Sequence, residues 1–170
     1  MIEIRVASQD DLSLLVAMGR ETFTVAFAEE NTTENMNAYL DKAFTDERIE
    51  QELGDTGSQF YLAYEGSTPV GYAKVRESNE VKGLIAESAI ELERIYVVSE
   101  HQGKKVGVAL LEKCIEYGNQ KGFHWIWLGV WEHNLRAKKF YLDRGFEKFA
   151  THPFKLGTDL QTDWLMKKRI

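Results

Sequence analysis

The chain has 170 residues, a length that suits one domain able to bury roughly two-thirds of the surface its unfolded form exposes. Hydrophobic residues at 44%, charged residues at 28% and 2 prolines exclude a disordered or fibrous chain. The net charge of -6 argues against a general nucleic-acid binder, which wants a basic face, and favours a cationic small molecule as partner.

No run of about 18 apolar residues occurs, so no membrane association is expected. Residues 1–6 mix acids and bases where a leader needs an apolar stretch, which points to a cytoplasmic protein. Cys114, the single cysteine, has no partner for an internal disulfide, and His101, His124, His133 and His152 show no metal-ligand spacing, so no metal site is expected.

In chain order, Ser8 followed three residues later by Asp11 reads as a helix start, and Leu12, Leu15, Val16 and Gly19 at helical spacing carry that first helix to about Phe23. A polar connection, residues 27–31, follows. Thr33 caps a second predicted helix bearing Met36, Tyr39, Leu40 and Ala43, and Thr45 caps a third that ends at Gly54. The period then changes. Residues 59–64 and 69–75, rich in aromatic and β-branched side chains, flank the turn-forming residues 65–68 and predict an antiparallel hairpin.

A polar stretch over 76–83 precedes a long strand at 91–98. Residues 103–107 form a loop with glycines and lysines, after which Val108, Leu111, Cys114, Ile115 and Gly118 mark one helical face up to Gly122. Residues 125–131 are almost wholly apolar, as in a strand covered on both faces, with Trp125, Trp127 and Trp131 on one side expected mostly in the core. Asn134 caps a helix over 135–143 that stops at Gly145, and two last strands are expected near 146–151 and 162–168.

A strand leading through a glycine- and lysine-bearing loop into a helix suits phosphate binding, because the first helical amides lack partners and the dipole adds partial positive charge. An ordinary strand-to-helix turn with solvated lysines would look the same. Ile95, Tyr96 and Val97 followed by Gln102, Gly103, Lys104, Lys105, Val106, Gly107 and by Ala109, Leu110, Leu111 resemble the acetyl-CoA motif of the GNAT N-acetyltransferases. A second match lies downstream, in residues 127–134 with Ala137, Phe140, Tyr141, Gly145 and Phe146. Taken with Glu21, Thr22, Phe23, Glu34 to Leu40 and Glu93 to Tyr96, the whole chain is most similar to bacterial spermine/spermidine acetyltransferases of that superfamily.

The resemblance implies one domain over residues 1–170 with the α/β (α+β) GNAT acyl-CoA N-acyltransferase fold. That fold is a mixed, mostly antiparallel twisted sheet flanked by helices, with a parallel strand pair splayed into a V that receives acetyl-CoA. It further implies that Ile95, Tyr96 and Val97 pair with the pantetheine arm, and that amides from Gly103 through Val108 hold the pyrophosphate. Asn134 would bond the cofactor arm beside Ala137, or only cap its helix. Tyr141 would be the general acid at the thioester sulfur, unless it is core packing beside Phe140. Lys105 departs from the family's usual glycine, so either Gly103 takes the backbone strain or cofactor affinity falls.

An alkylammonium with a pKa near 10.4 is not nucleophilic, and neutralising it at pH 7 costs about 4.6 kcal/mol. Glu93 and Glu91, two apart on a strand, share one face, and Glu93 is the preferred proton acceptor, with a structural ion pair as the competing role. Glu29, Glu30 and Glu34 fall where the family forms its acceptor groove, and Trp131 borders the same place. The expected reaction is direct acetyl transfer from acetyl-CoA to a primary amine, foremost a polyamine, in a ternary complex. A protein N-terminus, an aminoglycoside or another small amine remains open as acceptor, as does a non-catalytic acyl-CoA sensor. A homodimer is expected from the family alone.

Overall fold

The computed structural model describes residues 1–77 and 88–170. The polar stretch expected over 76–83 therefore lies, from residue 78 on, outside the described residues.

Among the described residues one seven-stranded sheet organises the fold. Its strands are β1 (Ile2–Val6), β2 (Ser58–Glu65), β3 (Thr68–Glu77), β4 (Ala89–Val97), β5 (Trp125–Trp131), β6 (Glu147–Leu156) and β7 (Asp159–Arg169), in the order β1-β2-β3-β4-β5-β7-β6. Every neighbouring pair is antiparallel except β4–β5, which is parallel. This is the mixed, largely antiparallel sheet expected from the sequence.

Helices cover both faces. On one side lie α1 (Leu12–Phe27), α2 (Thr33–Ala43) and α3 (Asp46–Gly54), whose apolar stripes meet β2 and β3 around Leu15, Phe44, Phe60, Leu62 and Tyr72, all at most 2% exposed. On the other, α4 (Val106–Gln120) and α5 (Leu135–Leu142) close over Val70, Ile90, Leu110, Cys114, Ile126 and Leu128. The apolar character of β5 has this cause: Ile126, Leu128 and Val130 face the α4 core, whereas Trp125 and Trp127 on the opposite face are half-buried beside Ala89 and Phe149 rather than in the main core.

Several boundaries differ from the sequence reading. Strand β1 was not expected; its Ile-Glu-Ile-Arg-Val alternation suits an edge strand buried on one face, and it pairs Ile2↔Glu65 through Val6↔Tyr61. The first helix runs on to Phe27, and Asp11 reaches back to accept from the Ser8 amide (2.8 Å). Thr32, not Thr33, caps α2, its hydroxyl oxygen accepting from the Asn35 amide. The last hairpin is longer than expected because Pro153 sits on β6, an outer strand where a missing donor costs no ladder bond.

The β4–β5 contact positions the site. Among the described residues these strands pair only at Ala89↔Trp125, Ile90↔Ile126 and Glu91↔Trp127. Beyond that point β4 follows β3 to Val97 while β5 follows β7 to Trp131, so the two part into the expected V. Glu93 is skipped between the pairs Val75↔Leu92 and Lys74↔Arg94, a bulge that adds bend where the arms separate.

Candidate active site

Within the V, a cleft of about 730 Å³ runs between the β4 arm and the starts of α4 and α5. Of the residues expected at the cofactor, Ile95, Tyr96, Val97, Gln102, Gly103, Lys105, Gly107, Val108, Asn134, Ala137 and Tyr141 line it. Lys104 and Val106 do not. The Lys104 side chain is exposed, and Val106, 1% exposed, belongs to the core beneath the loop, which leaves their backbone amides as what they could offer the cleft.

The loop that opens α4 settles how Lys105 is accommodated. Gly103 and Lys105 both adopt left-handed backbone, with φ of 82° and 66°. The expected alternative, in which Gly103 alone takes the strain, does not hold; Lys105 takes the glycine-like conformation too, at a cost of about 1–2 kcal/mol. Its side chain stays exposed. No side chain caps α4 among the described residues, so the first-turn amides are left to a ligand. Arg136, Arg144 and His101 also line the cleft, and with Lys105 they supply charge or donors for a polyanion. Sequence reasoning missed these three, although Arg136 lies in the first turn of the helix that carries Tyr141 and Arg144 just past its end.

Two polar links hold the cleft's mouth. Gln102 Nε2 donates to the Val97 carbonyl (3.0 Å), and Arg136 Nη1 donates to Gln102 Oε1. Asn134 does cap α5, its Oδ1 accepting from the Ala137 amide (3.0 Å), yet it also lines the cleft, so capping fixes its side chain at the splay.

A second cavity of about 170 Å³ lies on the α1–α2 face of the V. It shares Ile95, Tyr96, Asn134, Ala137 and Tyr141 with the cleft, and the two meet there. Its walls are aromatic: Phe23 stacks on Tyr39 at 4.3 Å between centroids, Phe154 meets Tyr39 edge-on at 5.8 Å, and Trp131 meets Phe27 edge-on at 6.1 Å. Trp131, expected at the border of the acceptor groove, lines this small cavity. Burial, with Cys114 nearby, pushes the Tyr141 phenol well above its ordinary value, so its hydroxyl stays protonated at neutral pH.

Of the carboxylates expected here, only Glu93 reaches the cavity. It forms an ion pair with Lys74, and Arg76 and Arg94 stand 3.6 and 3.9 Å away. Lys74 and Arg94 also clasp Glu52 of α3, at 3.0 and 2.6 Å. Glu91 lies outside both cavities; it sits where β4 and β5 still pair, buried and bonded to Arg76, with burial raising its carboxyl against the opposing pull of that arginine. Glu29, Glu30 and Glu34 line neither cavity, because the turn after α1 and the first turn of α2 present all three to solvent.

The carboxylate that sequence reasoning missed is Asp163. It lines the small cavity from β7, opposite Trp131 on β5, and burial pushes it up to about 6, with His152 lowering and Glu132 raising it. The only hint in the sequence was Gly129, an isolated glycine in an apolar strand.

Comparison with known proteins places this arrangement. Residues 24–146 match the model of the acetyltransferase (GNAT) family. An uncharacterised N-acetyltransferase of Lactobacillus delbrueckii subsp. lactis is 36% identical over 99% of this chain and 98% of its own length. A spermidine N(1)-acetyltransferase of Thermoplasma acidophilum is 28% identical over 86% of this chain and 88% of its own. The crystal structure of a PaiA N-acetyltransferase from Thermoplasma acidophilum in complex with coenzyme A shares the fold, with a TM-score of 0.81 over 100% of this chain and 99% of that one at 24% identity. The chain belongs to the acetyltransferase (GNAT) family and is an N-acetyltransferase that draws its acetyl group from acetyl-CoA.

Among the described residues no helix is long and apolar enough to cross a membrane.

Proposed function

We propose that the enzyme acetylates the primary amine of a slender cationic acceptor, foremost a polyamine. The observation that carries this reading is the small cavity. At about 170 Å³ it is close to the size of a cavity that holds one benzene ring, roughly 150 Å³, which suits an aminoalkyl end and not a bulky amino sugar. Aromatic walls favour a cation over their faces, and Glu93 and Asp163 add negative charge. The distant spermidine acetyltransferase relative agrees with this choice.

The large cleft fits acetyl-CoA on this chain's own features. The inner edge of β4 past Glu91 has no partner on β5, the α4 amides are uncapped, and Lys105, Arg136 and Arg144 suit a diphosphate. Bound there, acetyl-CoA supplies an activated thioester. Tyr141, at the junction of the two cavities, is proposed to give its hydroxyl proton to the departing sulfur. Asn134, fixed by its cap, orients the cofactor arm. Glu93, already sharing its charge with Lys74, is proposed to draw in the acceptor cation electrostatically.

The test is CoA-thiol release across spermidine, spermine, simple alkyldiamines, aminoglycosides and N-terminal peptides, with wild type beside Tyr141→Phe. Polyamines and alkyldiamines should turn over fastest, and the variant should lose roughly 100-fold or more in kcat while still binding acetyl-CoA. Preference for aminoglycosides or peptides would contradict the acceptor, and an unaffected Tyr141→Phe would contradict the acid.

A further inference from the structure

We propose that Asp163 holds the acceptor's reacting ammonium in the small cavity and takes its proton, an assignment that rests on the amine-acetylating reading above. Two carboxylates line this cavity, from opposite arms of the V: Glu93 on β4 and Asp163 on β7. Glu93 is committed to Lys74. Asp163 accepts no hydrogen bond and forms no ion pair among the described residues, so its charge is open to an incoming cation.

Its position is built in by a neighbouring glycine. A Cβ at Gly129 would lie 3.3 Å from Asp163 Oδ2, so the bare β5 backbone leaves the carboxylate room where a side chain would press on it. In register, Asp163 stands between Trp131 of β5 and His152 of β6. The titratable and charged groups around it are Glu132 just past β5, His152 on β6, Tyr39 on α2, Glu93, Arg94 and Tyr96 on β4, and Tyr141 on α5. With a pKa raised to about 6 by burial, it is ionised at pH 7 yet a stronger base than an ordinary carboxylate near 3.9. The two carboxylates divide the labour: Glu93 is ion-paired and attracts the cation, whereas Asp163 is unpaired and accepts the proton.

The proton count balances. The ammonium gives one proton to an Asp163 oxygen, and the freed nitrogen lone pair forms the N–C bond to the acetyl carbon. The C–S bond breaks, its electrons leave with sulfur, and Tyr141 protonates that sulfur. The new amide nitrogen sheds its surplus proton to the Tyr141 oxygen, and Asp163 returns its own to solvent. The sum is one ammonium and one thioester giving one amide, one thiol and one proton.

The experiment is the pH profile of kcat/KM for an alkyldiamine, with wild type and Asp163→Asn compared. Wild type should rise with a midpoint near 6 and then level off. The variant should fall about 100-fold at pH 7 and then climb steadily towards the amine's own pKa near 10.4, where free amine no longer needs a base. A merely structural role would give a deficit that does not vary with pH. Two readouts of the free protein accompany it. A carboxyl carbon resonance should titrate near 6 and vanish in Asp163→Asn. Because the folded pKa is raised, stability from protonated Asp163 is present below its unfolded value and lost as pH rises through about 6. The variant should therefore melt above wild type at neutral pH and converge with it in acid. Parallel pH profiles, or a carboxyl titrating near 3.9, would overturn the assignment alone. Absence of wild-type turnover on every amine would overturn it together with the proposed function.

Discussion

Lys105 shows how a single residue adjusts a phosphate-binding loop. At φ 66° it sits where glycine costs least, and it brings a cation to the cleft in exchange. Lys105→Gly should therefore unfold at higher urea than Lys105→Ala, by about 1–2 kcal/mol, the left-handed penalty that only the alanine retains; equal stabilities would mean that the loop can relax. Tyr141 and Asn134 were legible in the sequence because they stand at fixed spacing within a local motif. Asp163 was not. Its meaning comes from Gly129 across β5 and from the aromatic walls of α1 and α2, contacts that no spacing along the chain encodes. Glu29, Glu30 and Glu34 misled for the opposite reason: acids on an exposed helix start are favourable for the helix dipole whatever the function.

Among the elements, β4 bears two burdens. Its upper half is one arm of the V, and the bulge at Glu93 ties that arm to β3 and α3 through Lys74, Arg94 and Glu52. Removing the Glu52 charge would leave two cations, 2% and 8% exposed, with Glu93 as their one remaining shared carboxylate. Glu52→Gln should then cost about 3–5 kcal/mol in denaturant unfolding; a loss below 1 kcal/mol would show the network to be slack. The pH dependence has a definite sign. Burial raises the Glu52 carboxyl, but bonding to Arg94 and the charges of Arg94 and Lys74 more than offset that and leave it lowered. Stability from Glu52 is thus present above its unfolded pKa and lost as pH falls through the folded value, and Glu52→Gln should flatten the acid limb. The sequence predicted nine of these elements well because hydrophobic period and caps are local. It missed β1 and shortened the last hairpin, where a short charged alternation and Pro153 obscure strands that only their sheet neighbours define.

At the scale of the molecule, two cavities that share Ile95, Tyr96, Asn134, Ala137 and Tyr141 meet where β4 and β5 part. The V itself was predicted from a resemblance, whereas the second cavity is a product of the tertiary fold, since α1, α2, β4, β5, β6 and β7 all contribute to it. An acetyl group held in the cleft and an amine held in the cavity can meet at Tyr141 without a covalent stop on the enzyme. Cys114, the single thiol, is fully buried in the α4 core with its ionisation pushed well above the ordinary range, so it cannot serve as a way station. Initial velocities measured with both acetyl-CoA and a polyamine varied test this meeting most directly. Simultaneous occupancy predicts double-reciprocal lines that intersect; parallel lines would mean that the acetyl group leaves acetyl-CoA before the amine arrives, and would contradict transfer across the junction.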